Sequence, residues 1–146
     1  MPEKETLERA RRDKREGKAP TTQAGEFVRE EIDHIREGKH GARSTKQAIA
    51  IGLSKARRAG VKLPPPKHAK ASTRRSAAAA SRAGAHGHGP TSKRRSRAIR
   101  HALKREGHRA ASRKALARQA RTSASRRPAG ARKAAARKAA LTRQRG

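Results

Sequence analysis

Residues 38–60 read GKHGARSTKQAIAIGLSKARRAG, and their order sets the fold class expected of the chain. Ser44 stands where a helix N-cap accepts a hydrogen bond, and Gln47 three residues on completes a capping-box pattern. At 100° per residue, Ala48, Ile49, Gly52, Leu53 and Ala56 share an arc of about 140°. The small residues on that arc let another backbone come close, while Ile49 and Leu53 fill the space beside it. Gly60 stops the helix, and VKLPPP at 61–66 keeps it from resuming.

The partner lies just upstream. AGEFVREEIDHIREG reads as a helix from Ala24 to Gly38, with Ala24, Val28, Ile32 and Ile35 on one arc and Phe27 at its edge. Glu26, Glu30, Asp33 and Glu37 take the opposite arc, giving an acidic face that is expected to compete for the chain's own basic tail. The KHGAR turn joins the two helices into a helical hairpin. Nine of the chain's 15 Ile, Leu, Val, Met and Phe residues fall between Phe27 and Leu63, so any core belongs here. Such a small core is marginal alone. An apolar face of Val28, Ile32, Ile35, Ile49 and Leu53 is the candidate surface for a homodimer, and Ile51 points away from it, toward solvent.

Outside this segment, composition argues against a packed domain. The 146 residues carry a net charge of +30, and the 32% hydrophobic content is mostly alanine, a good helix former and a poor core filler. Residues 3–16, EKETLERARRDKRE, read as a solvated helix held by pairs such as Glu5–Arg9, Glu8–Arg12 and Arg12–Glu16. GKAPTTQAG reads as a turn-rich link. Beyond Pro66 lie an alanine-rich run, SAAAASRAG, a glycine stretch, and three helix-competent basic pieces opening SKRRSR, HRAASRK and ARKAAARK. Their like charges oppose the helical propensity of alanine, so this tail is expected to be disordered or transiently helical. The expected architecture is all-α: a charged helix and linker at 1–23, a helix-turn-helix hairpin at 24–66 and a low-complexity basic tail at 67–146.

Charge is segregated along the chain. Residues 1–37 hold ten acids against nine Lys and Arg; residues 38–146 hold 32 Lys and Arg against one acid, Glu106. A block this cationic repels itself unless a polyanion neutralises it. In the turn, Lys39, Arg43 and Lys46 surround the N-terminus of the third helix, where free N–H groups and the helix dipole suit a phosphate. Lys55, Arg57 and Arg58 spread over the polar side of that helix. Further along come Arg74 and Arg75; Lys93, Arg94, Arg95, Arg97 and Arg100; Arg113 and Lys114; Arg126 and Arg127; Arg132 and Lys133; and Arg137 and Lys138. Arginine predominates, and its planar fork matches phosphate oxygens. There is no Trp or Tyr and one Phe, which disfavours a binder of single strands built on base stacking.

Other chemistries find little footing. The chain has no cysteine, so disulfides and thiolate zinc sites are excluded. Of its seven histidines, His86 and His88 lie together in a glycine stretch without carboxylate company, so no metal site, cofactor or catalytic group is expected. G-x-x-x-x-G-K-[ST] does not occur. No apolar run reaches ten residues, which excludes a transmembrane helix or signal-peptide core and implies a cytoplasmic protein that does not engage membranes.

Residues 26–66 resemble the shared domain of a family of small, basic bacterial proteins of unassigned function, with STKQAIAIGLSKAR the most specific part of the likeness. Some members carry labels such as DNA-binding or plasmid stabilization protein. The tail is similar in composition to the alanine- and lysine/arginine-rich arms of linker-histone-like bacterial proteins. These resemblances imply a bacterial nucleoid setting. Together with the charge pattern they lead to an expectation of a non-enzymatic, histone-like protein that grips duplex DNA through its phosphates without sequence preference. Two alternatives stand beside it: an RNA chaperone or ribosome-associated factor, and a protein-interaction module in plasmid maintenance.

Overall fold

The computed structural model describes residues 2–87, 89–90 and 92–146. Among these residues it is all-α, with no strand. Helices α1 (Lys4–Arg15), α2 (Pro20–Arg36), α3 (Thr45–Arg58), α4 (Ala71–His86) and α5 (Lys93–Arg105) and a 3₁₀ turn (Arg109–Ala111) belong to one compact unit, Met1–Ser112. Helices α6 (Arg113–Ser125) and α7 (Ala129–Arg145) make a second, Arg113–Gly146.

Helices α2 and α3 pack backbone to backbone. A Cβ placed on Gly52 would lie 2.6 Å from the Cα of Val28, so hydrogen alone fits there. Ala48 and Ala56, one turn to either side, are both fully buried. Ser44 caps α3 by accepting from the Gln47 N–H at 3.1 Å, and the Gln47 side chain accepts in return from Arg43 N at 2.7 Å. Gly60 ends the helix region with φ +98°, a backbone conformation that β-carbons disfavour.

Helix α1 is not the solvated rod that its charge suggests. Thr6, Ala10 and Asp13 are buried, and Leu7 and Ala10 pack with Ala24, Phe27, Ala56 and Leu63. An Arg9–Glu26 ion pair at 2.6 Å fastens α1 to α2. The link between them is also shorter than expected. Pro20 opens α2 as its first residue, where a fixed φ suits the helix and a missing N–H goes unnoticed. Gln23 folds back to donate to Lys18 O at 3.0 Å.

The apolar face offered for a homodimer is largely consumed inside the chain. Ile35 is 0% exposed and Ile32 is buried, whereas Val28, Ile49 and Leu53 are half-buried. Ile51 is half-buried too, not solvent-facing.

The tail is helical where disorder or transient helix was expected. In α4, Ala77 and Ala80 are buried, and a Cβ on Gly84 would meet the carbonyl oxygen of Arg57 at 2.0 Å. Alanine and glycine at these positions make a narrow face that lies against α3, while Arg74, Arg75 and Arg82 stay exposed. In α4, close backbone packing thus adds to alanine's helical propensity and outweighs charge repulsion. The turn after α5 then closes over KHGAR: Gly41 N donates to Leu103 O at 2.9 Å and Ala42 N to Gly107 O at 3.1 Å.

Gly52→Ala is expected to lower the unfolding free energy by about 1–3 kcal/mol, since the new methyl meets backbone on α2. Gly25→Ala, on α2 with nothing within 4 Å of its Cβ position, should stabilise by about 0.4–1 kcal/mol. Urea unfolding of the two full-length variants checks both signs.

Candidate nucleic-acid interface

The cations named from the sequence divide into three groups by burial and partner. In the first, the charge is held internally. Arg57 is 7% exposed; its Nε donates to Leu63 O at 3.2 Å and its Nη2 to Pro64 O at 3.1 Å. Among the described residues no carboxylate joins them, and desolvation pulls its pKa below the ordinary arginine value. Arg57 therefore pins the 61–64 segment across the end of α3 and does not present its charge outward. Lys55 contacts Glu31 Oε1 and lies 3.8 Å from Glu30 Oε1, two carboxylates that are buried on α2. Both lysine and arginine are removed from the candidate interface by these partners.

In the second group are the turn residues. Lys39 is exposed but paired, at 3.1 Å to Glu37 and 3.2 Å to Glu3, and those hydrogen bonds raise its pKa, Glu37 contributing most. Arg43 and Lys46 are exposed. The expected phosphate seat is built differently from the sequence reading. The N–H groups of Gly41 and Ala42 are taken by the 103–107 carbonyls, and Thr45 Oγ1 donates to Ala110 O at 2.7 Å. The chain's own 3₁₀ turn thus lies against the start of α3.

The acidic stripe of α2 is engaged by neighbours other than the tail. Glu26 holds Arg9, Asp33 lies 4.0 Å from Arg29, Glu37 holds Lys39, and Glu30 accepts from the Glu3 N–H at 3.0 Å. Glu3 in turn accepts from His34 at 2.9 Å, and that hydrogen bond, followed by Lys39, lowers its pKa.

The third group is exposed. It comprises Arg58, Arg74, Arg75, Lys93, Arg94, Arg95, Arg97 and Arg100 in the first unit. In the second unit Arg113, Lys114, Arg126, Arg127, Arg132, Lys133, Arg137 and Lys138 are exposed as well. Helix α5 orders part of the first set. Lys93, Arg97, Arg100 and Lys104 fall within an arc of about 60° at 100° per residue and span about 16 Å of axis. Lys93, Ser96, Arg97 and Arg100 line one groove. Among the described residues none of the four cations has a carboxylate partner. Lys104 was missed in the sequence, although its spacing of eleven from Lys93 places it on the same face. In α7 every residue is exposed, and the cations surround the axis without forming a stripe.

His34 and His40 form a second cluster with Glu31, their rings edge-on with centroids 6.1 Å apart. The other histidine pair is described only in part: His86 is exposed and His88 lies outside the described residues. No helix among the described residues is long and apolar enough to cross a membrane.

Residues 5–68 match a family described as a family of unknown function, DUF6496. The match runs from α1 through the proline segment and stops before α4, so it includes the Glu31–Lys55 pair and Arg57 but not α5. No curated protein and no solved structure matches the chain.

Replacing Lys55 with Met leaves Glu31 buried beside no ammonium and is expected to cost about 3 kcal/mol of stability. Lys46→Gln on the exposed side of the same helix should stay within about 0.5 kcal/mol of the parent. Thermal unfolding followed by circular dichroism separates the two.

Proposed function

We propose that the protein is a nucleoid-associated DNA-binding protein that grips the phosphates of duplex DNA without sequence preference. The observation that carries this reading is the α5 face of Lys93, Arg97, Arg100 and Lys104, four exposed cations in line and, among the described residues, without acidic partners. Over about 16 Å of duplex axis each strand presents about five phosphates, so the stripe suits a run of backbone contacts. Base readout needs a few fixed side chains aimed into a groove, and no such constellation supports it here. The exposed cations of α4, α6 and α7 add further counterion-releasing contacts. Acids gathered on α1 and α2 are already held by local partners, so they leave the tail's charge available.

The test uses the full-length chain and a random-sequence duplex, with anisotropy read across a salt series. A protein engaging about ten phosphates gives a log–log slope near −9. Substituting Lys93, Arg97, Arg100 and Lys104 by Gln should make that slope shallower by about 3–4. Arg58→Gln, one exposed cation on α3, should change it by about 1 at most. A slope untouched by the fourfold variant rejects the α5 face, and tighter capture of structured RNA than of duplex in competition rejects DNA as the preferred polymer.

A further inference from the structure

We propose that Glu31, His34 and His40 bind one divalent transition-metal ion, with Zn²⁺ the species that fits best. This departs from the sequence expectation that no metal site exists. The argument begins with Glu31, which is 0% exposed. Lys55 occupies its Oε1, whereas Oε2 is buried and accepts no hydrogen bond. An unsatisfied buried carboxylate oxygen is rare because desolvation strips it of water without replacement.

Both imidazoles turn a ring nitrogen toward this carboxylate. His40 Nδ1 lies 2.9 Å from Gly41 O, and a carbonyl only accepts, so Nδ1 carries the proton. Nε2 then faces Glu31 Oε2 at 3.1 Å and is the nitrogen open to a metal. His34 repeats the pattern in the other tautomer. Its Nε2 is 2.9 Å from Glu3 Oε1, so it donates outward, and Nδ1 faces Glu31 with 4.0 Å to Oε1. Each ring thus has one nitrogen held by an outer oxygen and the other directed inward. Metal-binding histidines are oriented in this way, by a carbonyl or carboxylate on the nitrogen that does not ligate.

Spacing agrees with the chemistry. One ligand atom from each of the three residues lies within 4.8 Å of the others. Bonds of about 2.0–2.2 Å around a tetrahedral ion set ligand atoms about 3.3–3.5 Å apart. The His40–Glu31 edge is near that value already, and a small swing of His34 brings it in. Glu31 and His34 stand three apart on α2 and so share a face, while His40 comes from the turn. Two imidazoles and one carboxylate favour Zn²⁺ over Mg²⁺ or Ca²⁺, which prefer oxygen alone. A solvent molecule completes the fourth position. Lys55 on Oε1 then orients Glu31 in the same manner that Glu3 orients His34.

The experiment titrates chelator-treated, full-length protein with Zn²⁺ by calorimetry, and follows ¹⁵N-labelled histidine rings by NMR. One ion per chain is expected, with shifts at His34 Nδ1 and His40 Nε2. His34→Gln or His40→Gln should weaken binding at least tenfold, and Glu3→Gln about tenfold. A His86→Gln/His88→Gln variant should bind like the parent. Because the NMR reading uses the unmodified chain, misfolding of a variant cannot decide the outcome. Absence of binding, shifts confined to other histidines, or loss only in the His86/His88 variant each overturns the site.

Discussion

A hydrogen atom at position 52 sets how near α3 comes to α2. With Gly52 against the Val28 backbone, Ala48 and Ala56 are drawn into the same interface and the longer side chains pack at its margins. That spacing brings Lys55 to Glu31 and carries the α3 C-terminus to where Leu63 and Ala10 share a core with Phe27. A wider separation would admit water between Lys55 and the two buried carboxylates and loosen the contact that orders α1. The body is therefore a close-backbone assembly, in which small residues matter as much as the few large ones.

Much of this was legible. The capping pattern at Ser44 and Gln47, the small-residue arc of α3 and the apolar arc of α2 follow from periodicity, and periodicity survives in the structure because each feature is local. What escaped the sequence reading depended on tertiary partners. The pattern in α1 gives no hint that Thr6 and Asp13 are buried, because neither residue type signals a core. Pro20 sits in a stretch with the composition of a link, although proline is also well suited to the first position of a helix. SAAAASRAG has the look of low complexity, yet Ala77 and Ala80 are buried and Gly84 leaves no room for a Cβ beside Arg57 O.

The candidate site divides along the same line. Exposed cations such as Arg94, Arg113 and Arg132 lie where their density suggested. Lys55 and Arg57 do not, because whether a basic side chain meets solvent or a buried acceptor is decided by a neighbour far away in sequence: Glu31 for one, the carbonyls of Leu63 and Pro64 for the other. Sequence proximity singles out only His86 and His88, which have no carboxylate nearby. His34 and His40 are brought to one carboxylate by a turn and a helix face together.

Helical order in the tail changes what its charge can do. A disordered cationic segment must lose conformational entropy as each residue is fixed on a polyanion, at roughly 1–2 kcal/mol per backbone residue. In α5 that ordering is already present, and a stripe of four cations on one face offers contacts in a fixed direction. Helix α7 surrounds itself with charge and directs it nowhere, which suits one polyanion on each side better than one long track. On the proposed DNA-binding reading, the two arrangements suit different modes, one tracking a backbone and one bridging between duplexes. Placing both in one chain gives the proposed DNA-binding protein a means to do each without a sequence-reading surface.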